Sequence, residues 1–221
     1  MPVNVDEKSD QPLYQRQQYA KSLLGRRYWD YRNRAAISLL DENDRTIVDL
    51  GCGEGIALEM AVRTFPKADV FGVDFLEENI RICAEHGLRA VRGDLYDLDL
   101  PDESVDAALL QEVIEHLHEP ARAVSEIHRI LRPGGKLVVV FPNDRTWKFV
   151  WRMMLRFREA NYDYGHLRQW TPRAVRELLI ERGFDVFHSR PTPLPIWPFA
   201  LDAVVAGRKG ARRAPRPLET P

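Results

Sequence analysis

The sequence predicts an α/β fold: a doubly wound, mostly parallel sheet with helices on both faces, in three layers. Three observations carry this. From residue 46 onward, short apolar runs alternate with segments of helical periodicity. Several of these runs are apolar nearly throughout, as expected for strands buried on both faces. The first of them leads into VDLGCGEG (48–55), where an acid is followed by glycines at 51, 53 and 55 and then by a helix pattern.

The elements follow in order. Residues 1–12 are polar and read as frayed. Residues 13–42 read as one or two helices broken near Gly25, with Leu13, Tyr19, Leu23, Leu24, Tyr28, Trp29, Ala36, Ile37 and Leu40 at roughly helical spacing. TIVDL (46–50) is a strand, EGIALEMAVRTF (54–65) a helix and ADVFGVD (68–74) a second strand. EENIRICAEH (77–86) is a helix that Gly87 ends as a C′ residue. LRAVRGD (88–94) and SVDAALLQ (104–111) are strands; EPARAVSEIHRIL (119–131) is a helix stopped by Pro133-Gly134-Gly135. KLVVVFPN (136–143) is a fifth strand. TPRAVRELLIERG (171–183) is a helix with Thr171 as N-cap and Pro172 in its first turn. FDVFHSR (184–190) and ALDAVVAGR (200–208) are the last strands, joined by the proline-rich PTPLPIWP. The chain thus divides into a helical cap (1–44), a sheet domain (45–207) with a lid or acceptor-site insertion (144–170), and an Arg/Pro-rich tail (208–221) read as disordered.

Bulk composition narrows the function. The 221 residues carry 32 basic and 33 acidic side chains, a balance that calls for no polyanionic partner. Cys52 and Cys83 are too few for a disulfide framework or a zinc site, and packing is the expected role of both. MPVNVDEKSD lacks the basic and apolar regions of a signal peptide, and no apolar run approaches the ~18 residues of a spanning helix. The expectation is a cytoplasmic protein.

The glycines point to a ligand. In an open α/β sheet, ligands bind beyond the carboxyl ends of the strands. Gly51, Gly53 and Gly55 fall in the loop after the first strand; glycine permits positive φ and removes the Cβ that holds a ligand off the backbone. Asp74 closes the second strand and Asp94 the third. One carboxylate can accept ribose hydroxyls and the other an exocyclic amine, so the three strand ends outline a nucleoside site.

The spacing is G-x-G-x-G, with Ile56 where a dinucleotide fingerprint has its third glycine. DLGCGEG instead matches the [DE]-x-G-x-G-x-G motif of class I S-adenosylmethionine-dependent methyltransferases. VFGVDFLEENI, GDLYDLDLPDESVDAALLQEVIEHL and RILRPGGKLVVVFPN resemble that family's later segments, over roughly residues 45–207. The resemblance implies a Rossmann-like seven-stranded sheet, parallel except for an antiparallel last strand, with S-adenosylmethionine as cofactor. It implies that Asp49 and the backbone of Gly51, Cys52, Gly53 and Gly55 hold the methionine end. Asp74 would take the ribose hydroxyls, Phe75 would pack on adenine, and Asp94 and Leu95 would read the adenine edge. Gln111 and Glu112 would border the sulfonium.

The acceptor side is less defined. His166, in YGHLRQWTP, is similar to a histidine beside the acceptor pocket in the family's quinone-biosynthesis and small-molecule O-methyltransferase branches. It is the candidate base; the alternative is that it ties its loop to the next helix, with Trp170 in the core. His116 and His118 lack metal-ligand company in the sequence, so capping or surface roles are expected and no metal is. WKFVWRMMLRFR (147–158) plots as an amphipathic helix, with Lys148, Arg152 and Arg156 opposite Trp147, Val150, Trp151, Met154 and Phe157. It reads either as a lid or as a basic, Trp-bearing helix at a membrane surface, meeting a lipid-linked or isoprenoid acceptor. Tyr19, Trp147, Trp151, His166 and Trp170 are the candidate acceptor-site residues. Gln111-Glu112-Val113-Ile114 replaces the [DNS]-P-P-[YFW] motif of DNA amino-methyltransferases, so no nucleic-acid acceptor is expected. An NAD(P)-dependent oxidoreductase and a non-catalytic cofactor-binding regulator are the competing functions. The glycine spacing and the lack of a Tyr-x-x-x-Lys pair disfavour the first.

Overall fold

The computed structural model describes residues 15–21, 23–153, 166–194, 196 and 199–210. Its frame is one seven-stranded sheet in the order β3-β2-β1-β4-β5-β7-β6. The strands are β1 (Thr46–Leu50), β2 (Asp69–Asp74), β3 (Ala90–Arg92), β4 (Val105–Gln111), β5 (Leu131–Pro142), β6 (Phe184–Thr192) and β7 (Asp202–Lys209). β1, β2, β3, β4 and β5 pair in parallel, while β7 runs antiparallel to both β5 and β6. This is the sheet the sequence predicts, including its antiparallel last strand. Chain order reverses between β1 and β4, so the carboxyl ends of these two neighbours flank the crevice where such sheets bind ligands.

Both faces of the sheet are buried, and strand alternation assigns each side chain to one of them. Val48, Leu50, Ala108, Leu110 and Val139 pack against α5 (Pro120–Ile130) and α7 (Pro172–Glu181). Ile47, Leu109, Val138 and Val140 pack against α2 (Leu23–Ile37), α3 (Ile56–Thr64) and α4 (Glu77–Glu85). Asp49 shares its face with Ile47, which puts a carboxylate at the floor of the crevice.

Several boundaries differ from the sequence reading, each for a local reason. The helical cap is split into α1 (Gln15–Lys21) and α2, and Gly25 lies inside α2 rather than at the break. α3 starts at Ile56, because Gly55 adopts φ 79° and cannot be helical. α5 ends at Ile130; Leu131 extends beside Val105, and Pro133-Gly134-Gly135 fall in the register shift before Lys136 pairs with Ala107. They form an irregularity inside β5, not a helix stop. α6 (Asp144–Met153) begins before Trp147, with Asn143 Oδ1 accepting from Thr146 N at 3.5 Å. Residues 154–165, including Met154, Arg156 and Phe157, lie outside the described residues. β7 continues through Arg208 and Lys209, whose Nζ donates to Leu131 O at 2.8 Å, so these two belong to the sheet and not to the tail. Thr171 caps α7 as expected, its Oγ1 accepting from Ala174 N at 3.2 Å. Among the described residues no helix is long and apolar enough to cross a membrane.

Candidate cofactor and acceptor site

Gly51, Gly53 and Gly55 all have positive φ, at 71°, 53° and 79°. What comes close to this backbone is first the protein itself. A Cβ on Gly51 would stand 2.4 Å from Val113 Cγ2, and one on Gly53 would stand 2.6 Å from Gln15 Oε1. The loop is anchored to the next strand by Gly51 N donating to Val73 O at 2.7 Å. Cys52 is buried, and Gly72 leaves the room its sulfur fills. Cys52 and Cys83 both pack, as expected, and only the backbone of Cys52 is offered to a ligand.

Two acids form the floor. Asp74 Oδ2 accepts from Gly53 N at 2.8 Å, and its Oδ1 accepts from Leu76 N and Asn79 Nδ2 at 3.0 and 2.9 Å. It therefore holds the glycine loop to the end of β2. Asp49 is 2% exposed, and its Oδ2 is buried with no hydrogen-bond partner. Burial, and secondarily the charge of Asp74, push the Asp49 carboxyl up to about 7. Among the described residues no cation is found against it. At the end of β3, half-buried Asp94 accepts from Tyr96 N at 2.9 Å, and Leu95 packs against the core. Phe75 is 43% exposed, its ring under the guanidinium of Arg92 at 5.6 Å. The exposed ring is available to an adenine.

β4 ends in Gln111, buried with both amide atoms lacking partners, and in Glu112, held at φ 56°. Glu112 pairs with Arg32 of α2 at 3.3 Å; burial raises its pKa, with Arg32 and His166 working the other way. Beyond it, Glu115 is 1% exposed with neither carboxylate oxygen hydrogen-bonded. Burial, then the charge of Glu112, hold its pKa well above the usual carboxylate range. His166 Nδ1 lies 2.7 Å from Asp144 Oδ1, and its ring meets that of His116 edge-on with centroids 4.9 Å apart. The sequence left His116 without company because its neighbour lies far along the chain; the fold supplies that neighbour.

The remaining candidates sort by what they touch. Trp170 is 8% exposed and donates from Nε1 to Ile114 O at 3.2 Å, so it is a core residue and not an acceptor wall. Tyr19 donates to Asp30 at 2.6 Å and its ring lies tilted against that of Trp29, which joins α1 to α2. Trp147 packs edge-on against Tyr28, and its Nε1 donates to Asp202 at 3.3 Å. It therefore fastens α6 to the cap. The side chain of Trp151 lies outside the described residues. One contact had no sequence signal: Glu54, 3% exposed, accepts from Gln15 N and Arg16 N at 3.0 and 2.7 Å. It holds the first turn of α1 over the glycine loop, where a carboxylate complements the helix dipole.

Fold and site together define a Rossmann-like protein whose crevice between β1 and β4 has an acidic floor. The comparisons with known proteins agree. Residues 48–139 match the family model described as a methyltransferase domain. A protein of Mycolicibacterium smegmatis designated a probable S-adenosylmethionine-dependent methyltransferase is 32% identical over 163 residues, covering 72% of this chain and 60% of its own. The malonyl-(acyl-carrier protein) O-methyltransferase of Methylococcus capsulatus is 31% identical over 159 residues, 68% and 55% of the two chains. The chain thus spans little more than half the length of these relatives. A crystal structure of an S-adenosylmethionine-dependent methyltransferase from Thermotoga maritima shares the fold at TM-score 0.66 and 24% identity, over 89% of this chain and 98% of that one. Residues 48–139 and these relatives make the matched part of the chain similar to S-adenosylmethionine-dependent methyltransferases, whose cofactor is S-adenosylmethionine. The residues present fit that cofactor: the buried Asp49 carboxylate, with its Oδ2 unpartnered, and the Cβ-free loop beside it suit a ligand with a cationic end.

Proposed function

We propose that the protein transfers the methyl group of S-adenosylmethionine to a small-molecule acceptor. One observation carries this: Asp49 is buried beside Asp74, with its Oδ2 unpartnered, at the carboxyl end of β1 where the glycine loop begins. A dinucleotide would bring its pyrophosphate over that loop, against two carboxylates. A ligand carrying an ammonium and a sulfonium is attracted by the same charges. Asp49 and the loop backbone hold the methionine end, Asp74 the ribose, Phe75 an adenine face, and Asp94 and Leu95 the adenine edge. Gln111 and Glu112 border the reacting centre. The bound cofactor supplies a methyl group already activated by its sulfonium. The protein has to align the acceptor and exclude water, and alignment is worth ~7–11 kcal/mol of the barrier. Asp144 fixes the tautomer of His166 with Nδ1 protonated, which makes Nε2 the basic nitrogen on the acceptor side. It takes the proton of a hydroxyl or amine acceptor.

Calorimetric titration tests the cofactor. S-adenosylhomocysteine is expected to bind, NAD and NADP are not, and Asp74→Ala is expected to weaken binding at least tenfold. Preference for a dinucleotide would overturn the reading.

A lipid-like acceptor is the second reading, favoured by the exposed side of α6. Phe149 and Met153 are 64% and 69% exposed beside exposed Lys148 and Arg152. Trp147, placed by the sequence on the apolar face, is turned to Tyr28 instead. Co-sedimentation with anionic vesicles at low salt is expected, and is expected to fall when Phe149 and Met153 are both replaced by Ser. Absence of binding would remove the membrane role and leave a soluble acceptor.

A further inference from the structure

We propose that Cys52 and Cys83 form a dithiol modification site beneath the glycine loop, which a peroxide oxidises to a disulfide and which thereby shuts that loop to its ligand. Cys52 lies in the loop itself and Cys83 on α4. Their sulfurs converge on one carbonyl: Cys52 Sγ stands 3.8 Å from Gly53 O, and Cys83 Sγ 3.5 Å from it. The two thiols also hydrogen-bond each other. Two glycines make the room. A Cβ on Gly72 would stand 2.5 Å from Cys52 Sγ, and one on Gly55 would stand 2.9 Å from Cys83 Sγ.

A buried cysteine in apolar surroundings is inert; a reactive one needs neighbours that favour its thiolate. Cys83 has two. The bond from Cys52 lowers its pKa most, and the charge of Arg16 lowers it further, against the effect of burial. Arg16 Nη2 is buried without a hydrogen-bond partner and borders the same spot as Cys83 Sγ, 3.6 Å from where a Cβ on Gly55 would stand. Cys52 is shifted the other way by the shared bond and by burial, so it is the thiol that keeps its proton. It is also 7% exposed, in the loop that borders the crevice, and a peroxide is little larger than water.

The step balances with one hydrogen peroxide. The Cys83 thiolate attacks a peroxide oxygen, the O–O bond breaks, and the sulfur becomes a sulfenic acid. The departing hydroxide recovers the proton that Cys83 gave up and leaves as water. The Cys52 sulfur then attacks the sulfenic sulfur, and its proton leaves with the displaced hydroxyl as a second water. The dithiol loses two electrons and the peroxide gains them. A disulfide holds its sulfurs at about 2.05 Å, well inside hydrogen-bonding distance, so closing it draws the loop toward α4. The loop is not free to follow, since Gly53 N is bound to Asp74 and Gly51 N to Val73 O. Gly53 O also loses the thiol hydrogens that face it. The consequence for binding rests on the cofactor reading given above; the cross-link itself does not.

The test treats the full chain with excess hydrogen peroxide, blocks the remaining thiols with iodoacetamide and maps the cysteine peptides by mass spectrometry. S-adenosylhomocysteine is titrated calorimetrically into the same samples. Expected are a Cys52–Cys83 peptide pair within one chain and an affinity lowered at least tenfold, both reversed by dithiothreitol. Cys83→Ser should bind S-adenosylhomocysteine within threefold of the unaltered chain, which shows that it is folded, and peroxide should leave that affinity unchanged. Arg16→Gln should slow the appearance of the cross-link severalfold, and Arg16→Lys should restore its rate. Thiols that stay free, or sulfinic acids in place of the pair, would overturn the modification site. A cross-link that leaves affinity unchanged would overturn the closing of the loop. If the reduced chain binds no S-adenosylhomocysteine, the cofactor reading fails, and the peptide map still decides the disulfide.

Discussion

Asp49→Asn is expected to make the protein more stable and its cofactor binding weaker, and to do the first only above acid pH. Burial holds the folded Asp49 carboxyl up at about 7, against the ordinary aspartate value of 3.8. Between those limits the folded state holds a proton that the unfolded state has lost. Stability is therefore fully present below about pH 4, falls as pH rises toward 7, and is flat beyond. The loss is of the order of 4 kcal/mol, at about 1.4 kcal/mol for each unit of separation. Asparagine carries no charge and removes this slope, though its amide also lacks a partner, so a gain of about 1–3 kcal/mol is expected at pH 8. For a chain of this size that is about 3–10 °C in Tm. At pH 5 only about one unit of that three-unit fall has occurred, so the advantage of asparagine should be about 2–3 kcal/mol smaller than at pH 8, which makes it near zero or reversed. The same substitution removes the carboxylate proposed for the cofactor's ammonium, and charge-assisted hydrogen bonds are worth ~1.5–3 kcal/mol. Affinity for S-adenosylhomocysteine should fall at least tenfold. In the unaltered protein, affinity should weaken as pH drops below 7, because binding then requires Asp49 to release its proton. Equal melting shifts at pH 5 and pH 8, or unchanged affinity, would show that Asp49 is neither strained nor used.

That trade-off runs along the whole crevice. Asp49, Gln111 and Glu115 are buried polar residues with unpartnered atoms, and half-buried Glu112 has one such oxygen; all lie at the carboxyl ends of β1 and β4 or just beyond. Native proteins carry only a few such groups per 100 residues. Four clustered at a topological switch point are what a site that trades stability for ligand binding would show.

These groups also show what a sequence can and cannot reveal. The strands were legible because burial on both faces leaves an unbroken apolar run. The glycine loop was legible because only glycine takes positive φ at positions 51, 53 and 55 without strain. Asp49, Asp74 and Asp94 were legible because a strand end is a local event. Glu115, His116 and His166 were not, since their meeting depends on the segment at 166–170 returning to the turn after β4: Leu167 N donates to Glu115 O at 2.9 Å. That return has no local signature. Trp170 stood in the sequence both as an acceptor-site candidate and, in the alternative, as a core residue; its indole N–H finds Ile114 O, in line with the second. Glu54 is similar: an acid in a glycine loop gives no sign that it will hold the first turn of a distant helix.

Gly51→Ala is expected to destabilise the protein by about 2–5 kcal/mol and to weaken S-adenosylhomocysteine binding at least tenfold. Two costs combine. The residue sits at φ 71°, which charges an alanine roughly 1–2 kcal/mol for left-handed backbone. Its Cβ would also lie 2.4 Å from Val113 Cγ2 and 3.3 Å from Cγ1. Val113 is β-branched and has few rotamers to retreat into, so the loop or the turn after β4 must shift, at about 1–3 kcal/mol. The protein contains its own control. Gly87 has φ 70°, and nothing lies within 4 Å of where its Cβ would be. Gly87→Ala thus measures the backbone cost alone and should leave cofactor binding unchanged. Adding Val113→Ala to Gly51→Ala removes the clash and keeps the backbone strain. The double variant should recover about 1 kcal/mol or more relative to the sum of the singles, a coupling readable in a double-mutant cycle. If Gly51→Ala costs no more than Gly87→Ala and the cycle is additive, conformation alone explains the glycine. If coupling appears and binding returns with it, the glycine at 51 is there because the loop after β1 and the turn after β4 must touch, which is what brings both strand ends to one ligand.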